Sequence, residues 1–326
     1  MTKKVINLPE SIKGRLLQKS KTLGMNFNEI LQRYAMERFL YRLGISRYKE
    51  DYILKGALLF HVWSDQQHRS TRDIDFLGHG DPSLEHVEAV IKTICQQALP
   101  EEIGDGLIFD ETTVKGILIK EDQEYEGVRI KFVAQLGKIP IPMLVDVGFG
   151  DAVSEQIQKE TFPVYLDFPA PQIKIYPKET VIAEKLQAMV ALDMSNSRLK
   201  DFYDIWFLSQ TNDFDGEKLG QAIEGTFKRR QTPIPKDTPT ALTPKFSQDV
   251  NKENQWMSFA KKQHLGADLT LDKIVKQLSQ FLMPLLDALK RELPYDSQWR
   301  AAHGWEEPLD TEWLDATLTD EDWVWE

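Results

Sequence analysis

Cysteine is nearly absent from this chain: Cys95 is the single one among 326 residues. That excludes an intramolecular disulfide and points to a reducing compartment. Apolar runs are short, and none approaches the roughly 20 residues that a membrane-spanning helix needs. The stretch from Met1 to Pro9 carries no apolar segment of signal-peptide length, so the chain is expected to be cytoplasmic, with no membrane partner. Histidine is scarce, with six residues and no metal-ligand spacing; His61 and His68 read as loop or core residues rather than zinc ligands. No internal repeat is found, which sets aside repeat architectures. Lys and Arg are missing from residues 306–326, where nine acids stand. Those acids supply most of the net charge of −11 and leave −2 for the rest, so overall charge does not exclude an RNA partner. Trp299, Trp305, Trp313, Trp323 and Trp325 lie in or beside that acidic tail and are expected to dock rather than stay exposed.

What is present is the balance of a globular protein, 41% hydrophobic and 28% charged, on a chain long enough for two domains. Residues 9–43 read as two helices, the first ended by Gly24 and the second capped by Asn26 or Asn28. An apolar helix or helix–turn element is expected over 52–62, and another helix near 83–98. From 107 to 149 the pattern turns to β, with runs at 107–109, 114–119, 128–133 and 143–147. The proline-punctuated segment 163–177 reads as an extended connection. Beyond it the expected helices are 178–192, 198–210, 216–230 and 271–290, with a further candidate at 251–262.

The chemistry concentrates around Arg69-Ser70-Thr71-Arg72-Asp73-Ile74-Asp75-Phe76-Leu77. Asp73 and Asp75 sit two apart on a short strand and so share a face. Paired carboxylates repel unless a cation or a proton intervenes. Hard oxygen ligands of this kind suit Mg²⁺, which completes its shell with waters and substrate phosphates. Gly56 removes a side chain where the backbone can approach phosphate. A lone Asp-x-Asp equally describes a solvated strand end. A third carboxylate, Asp146, interrupts the apolar run Leu144-Val145-Asp146-Val147, where a charge is costly unless paired or metal-bound. The three together are what two-metal phosphoryl transfer requires. Further on, Lys185 lies on an amphipathic helix, and Asp201 and Asp204 share a face of the next one beside Lys200. These charges describe either a surface ion pair or a lysine positioned to neutralise phosphate.

Five blocks in order carry a resemblance over most of the chain. They are residues 34–43; Leu54-Lys55-Gly56-Ala57-Leu58-Leu59-Phe60; Thr71-Arg72-Asp73-Ile74-Asp75; Val145-Asp146-Val147-Gly148-Phe149-Gly150-Asp151; and Glu184-Lys185 with Arg198-Leu199-Lys200-Asp201-Phe202-Tyr203-Asp204. The chain resembles the AbiEii/AbiGii-type nucleotidyltransferase toxins of the polymerase-β-like nucleotidyltransferase superfamily. The resemblance implies metal ligation by Asp73 and Asp75, a later acidic strand position at Asp146, a helical lysine at Lys185, and a final Lys/Asp block at Lys200 and Asp201. Lys55, Gly56, Arg72 and Lys200 are then the expected nucleotide-binding residues. Two departures stand out: Gly56-Ala57 replaces the usual Gly-Ser or Gly-Gly, and Trp63 to His68 lengthens the gap to Asp73.

The expectation is therefore an α+β chain, with a mixed-sheet nucleotidyltransferase lobe over 1–172 and a mainly helical C-terminal domain over 173–326. The active site is expected in the cleft between them. The implied reaction moves a nucleotide from an NTP to a hydroxyl, with Mg²⁺, and releases pyrophosphate. Asp146 would favour deprotonation of that hydroxyl, Lys185 would neutralise triphosphate charge, and Asp201 would orient Lys185 or the nucleotide. The resemblance further implies a toxin acting on RNA, at the tRNA 3′ end, restrained by a separately encoded antitoxin. Two alternatives remain from sequence: a protein hydroxyl as acceptor, or a DNA-binding regulator whose residues 3–8 and following helices resemble a ribbon-helix-helix module.

Overall fold

Asn7 and Asn26 start the first two helices by accepting backbone N–H groups with their side chains, at Glu10 and Asn28. The computed structural model describes residues 7–64, 68–100, 103–120, 126–150 and 157–290. Helix α1 (Leu8–Leu23) ends on Gly24, whose left-handed φ of 62° suits glycine. Helix α2 (Phe27–Ile45) is buried throughout residues 33–43, arginines included. Those cations are buried because each has an anion: Arg38 and Arg42 reach Asp105 at 3.2 and 2.6 Å, and Arg33 reaches Glu37 at 3.2 Å. A helix so enclosed is a core element, not a recognition helix open to DNA. Residues 1–6, which hold most of the proposed ribbon, lie outside the described residues, as do the acidic tryptophan-rich tail and the loop at 65–67.

The chain divides into two compact units. Among the described residues the first runs to Gly150 and resumes over Gln158–Ile175, and the second holds Ile157 and the residues from Tyr176 onward. The first unit carries a seven-stranded mixed sheet in the order β3-β4-β5-β2-β1-β7-β6. Its strands are β1 (Tyr52–Lys55), β2 (Asp73–Gly78), β3 (Leu107–Lys120), β4 (Glu126–Leu136), β5 (Ile139–Phe149), β6 (Gln158–Thr161) and β7 (Gln172–Ile175). Pairs β2–β5 and β1–β7 are parallel and the others antiparallel. A short helix α3 (Phe60–Trp63) follows β1 after a 3-10 turn at Ala57–Leu59, and α4 (Leu84–Cys95) packs Val87, Val90, Ile91 and Ile94 into the core.

Three sequence expectations are corrected here. Residues 52–62 do not form one helix. Tyr52, Ile53 and Leu54 are all buried in a strand between β2 and β7, and a strand covered on both faces shows no alternation to separate it from a helix. The runs 107–109 and 114–119 belong to one strand, interrupted by a register shift between Asp110 and Lys115. There Asp110 accepts from the Thr112 amide and hydroxyl, a turn-like bond that mimics a strand end. Segment 163–177 is not wholly a connection, since its last part is β7.

The second unit is helical: α5 (Lys178–Leu192), α6 (Leu199–Thr211), α7 (Gly216–Arg229), α8 (Pro244–Ser247), α9 (Val250–Lys262) and α10 (Leu271–Lys290). Buried Leu271, Ile274, Val275, Leu278, Phe281, Leu282, Leu285 and Leu286 follow the helical period along α10. Helix α6 is buried from Asp201 to Ser209, and its Trp206 indole donates to Gln277 at 2.6 Å. Among the described residues no helix is long and apolar enough to cross a membrane.

Candidate active site

Strand β2 alternates Asp73 and Asp75 with buried Ile74 and Phe76, so the core fixes which way the carboxylates face. Pairing with β5 in parallel register sets Asp75 directly beside Asp146. Pairing on the other edges sets Lys55 of β1 opposite Asp75, and Arg129 of β4 opposite Asp146. Four adjacent strands thus carry one transverse row, Lys55–Asp75–Asp146–Arg129, with cations flanking two anions. Residues directly opposite across a sheet share a face and lie within interaction distance.

The three acids expected from sequence do converge. Asp73, Asp75 and Asp146 each present a carboxylate oxygen, and these oxygens lie within 4.8 Å of one another. Opposite ligands of an octahedral Mg²⁺ stand about 4.2 Å apart, twice the usual bond length. Three carboxylates converging at this spacing are the hard oxygen donors that a divalent cation takes. Thr71 donates its hydroxyl to Asp73 Oδ1 and holds that carboxylate from the loop side. Asp146 is buried and accepts two hydrogen bonds from Arg129, at 2.8 and 2.7 Å. Those bonds, with the added charges of Asp146, Asp73 and Asp75, hold the Arg129 guanidinium more firmly protonated than usual. Arg129 thus balances the charge of Asp146.

Gly56 follows β1 with φ 75° and ψ −162°, a conformation open only to glycine. A Cβ there would lie 2.6 Å from Asp75 Cγ and closer still to Oδ2, so the missing side chain makes room for this carboxylate. Ala57 is buried in the 3-10 turn that follows. Arg72 is exposed, as is Lys200.

In the helical unit Lys185 lies between two fully buried carboxylates, 2.5 Å from Asp201 and 2.9 Å from Asp204. Arg198 pairs with Asp201 at 2.8 Å. The expected Lys185–Asp201 pair is therefore present, while the second cation on Asp201 is Arg198 rather than Lys200. Sequence reasoning gave no role to Asp204, although its i, i+3 spacing from Asp201 was the available signal. It also missed Arg129 as the partner of Asp146, which needed the β4–β5 register.

Residues 38–281 match the family described as "Nucleotidyl transferase AbiEii toxin, Type IV TA system". Two solved structures from Helicobacter pylori are similar at 15% identity and a TM-score of 0.47. The first, JHP933, is matched over 81% of this chain and 94% of its own. The second, described as "putative nucleotidyltransferase from H. pylori", is matched over 83% and 100%. No curated protein matches the chain at a significant level.

Proposed function

We propose how this chain, which belongs to the AbiEii nucleotidyl transferase toxin family of type IV toxin–antitoxin systems, performs nucleotidyl transfer: the acidic cluster of β2 and β5 is its catalytic centre, and RNA is its acceptor. Family membership makes the protein a nucleotidyltransferase with a nucleotide substrate and an antitoxin as partner. The observation that carries the site assignment is the convergence of Asp73, Asp75 and Asp146 on adjacent parallel strands.

In this reading a hydroxyl oxygen attacks the α-phosphorus of an NTP. The new P–O bond forms as the bond to the β-phosphate bridge breaks, pyrophosphate leaves and the hydroxyl proton is lost. Asp73 and Asp75 hold Mg²⁺, which when bound supplies Lewis-acid stabilisation of the phosphoryl charge. Asp146, positioned by Arg129, completes the site and favours loss of the hydroxyl proton. Gly56 keeps the Asp75 carboxylate seated. Lys185 neutralises triphosphate charge, oriented by Asp201. Lys55, Arg72 and Lys200 assist nucleotide binding. The chain's contribution is positioning and electrostatics rather than covalent chemistry.

The acceptor is read as the tRNA 3′ end, in the cytoplasm. What supports RNA is the pair Arg229 and Arg230 at the end of α7, and the charge of the chain without its acidic tail does not oppose it. The test is to incubate the purified protein with each α-labelled NTP, total RNA and total protein. Label is expected on RNA, with binding that weakens steeply as salt rises. Label confined to protein would replace this acceptor with a protein hydroxyl.

A further inference from the structure

A cavity of about 270 Å³ opens inside the sheet-bearing unit, walled by the α1–α2 hairpin, the turn after Gly56, and residues 68–71 and 163–165. One wall residue is Thr71, whose hydroxyl holds the Asp73 carboxylate, so the cavity adjoins the acidic cluster through a single side chain. Its size is just below the roughly 300–1,000 Å³ of typical small-molecule sites. That suits one ring system better than a triphosphate.

The wall chemistry points the same way. Met36, Leu58 and Val164 supply apolar surface, and Glu29, His61 and Tyr165 supply polar groups. Arg33 is the one Lys or Arg among the described wall residues. Its charge is taken up by Glu37 at 3.2 Å and by the rings of Phe162 and Tyr165, 4.6 and 5.5 Å from the guanidinium carbon. Burial, with Arg33 and His68 nearby, pushes His61 well below the usual histidine range, so its imidazole is uncharged at neutral pH. Glu29 adds negative charge. Among the described wall residues the charges of Arg33 and Glu29 cancel, so the wall carries no net positive charge for a phosphate. The ring of His68, another wall residue, stacks on Phe60 at 3.7 Å and stiffens that side.

We infer that this cavity is a nucleobase site, taking an uncharged heteroaromatic base beside the carboxylates that handle the phosphate. Enclosure between apolar and aromatic side chains with a few hydrogen-bonding groups is how proteins hold an unstacked base. The reason for a base at this place rests on the nucleotidyl-transfer reading. The base belongs either to the incoming NTP or to the terminal nucleotide of the acceptor.

Binding of free nucleosides tests the site without requiring turnover. Adenosine, guanosine, cytidine and uridine are titrated calorimetrically into the full-length protein in the absence of metal. At least one should bind saturably. Val164→Trp, which fills the cavity, and His61→Ala, which strips a polar wall, should each weaken it at least about tenfold, equivalent to about 1.4 kcal/mol. Thermal melts of both variants establish that each is folded, and either one alone suffices for the comparison. Failure of every nucleoside to bind the wild type, or undiminished binding in the folded variants, overturns the inference. Absence of nucleotidyl transfer by the wild type would instead sink the proposed function, whatever the nucleosides do. Steady-state assays then identify the source. A base from NTP predicts a raised KM and flattened selectivity among the four NTPs. A base from the acceptor predicts unchanged NTP constants and lost selectivity for the RNA end.

Discussion

The carboxylate of Asp75 occupies the space that a side chain at Gly56 would need. The two residues are therefore one device: the Asp75 carboxylate fits here because position 56 carries no side chain. Gly56→Ala forces a positive φ on alanine, a strain of about 1–3 kcal/mol, and displaces the Asp75 carboxylate. A lowered melting temperature is expected together with at least about a tenfold loss of pyrophosphate release, since misplacing a catalytic group by an ångström is already costly. Wild-type turnover in this variant would mean that the position of Asp75 is not critical.

Lys185 lies between two carboxylates with no exposed side-chain surface. Removing it takes a cation away from two fully buried carboxylates, and breaking a buried pair costs about 3–5 kcal/mol. Lys185→Ala should thus melt well below the wild type and, at temperatures where it remains folded, show no transfer. Lys185→Arg should recover most of the stability but only part of the activity, because the guanidinium changes the geometry. Activity and melting temperature are measured on the same samples. A Lys185→Ala protein with both unchanged would make the lysine a dispensable surface charge.

Much of this was legible in the sequence because periodicity reports burial. The stripe on α10 and the alternation of Asp73 and Asp75 with Ile74 and Phe76 give the helix and the shared face directly. Strand β1 was hidden because Tyr52–Leu54 are covered on both sides and show no alternation. The pairing of Arg129 with Asp146 depends on a strand register that local patterns do not encode. The cavity at Thr71 was equally out of reach, since its walls come from four separated segments.

Arg129 tests whether Asp146 needs its partner. Arg129→Met removes two charge-assisted hydrogen bonds, each of the kind worth about 1.5–3 kcal/mol before solvent screening, and the guanidinium is partly exposed, so the net loss should fall at the low end. Turnover should fall far more than stability. The comparison is kcat against denaturation midpoint, and a variant with reduced stability and full kcat would make the pair purely structural.

His61 gives the stability of the sheet-bearing unit a pH signature. It is held uncharged in the folded protein, while in the unfolded chain it titrates near 6.5. Below about pH 6.5 the unfolded state therefore binds more protons, so stability is lost as pH falls and is fully present above that value. Melting curves from pH 7.5 down to 5.5 should drop more steeply for the wild type than for His61→Gln. Equal slopes would show that His61 charges freely in the folded protein.

Asp73→Ala bears most directly on the acidic cluster as the catalytic centre. Pyrophosphate release from NTP is followed while Mg²⁺ is titrated, alongside the melting temperature of the same protein. Removing one of three converging carboxylates relieves repulsion while destroying the ligand set. The expected result is turnover that vanishes at every Mg²⁺ concentration, with a melting temperature equal to or above that of the wild type; chelation of the wild type should abolish turnover in the same way. Turnover by Asp73→Ala at the wild-type rate and with the wild-type Mg²⁺ dependence would contradict it.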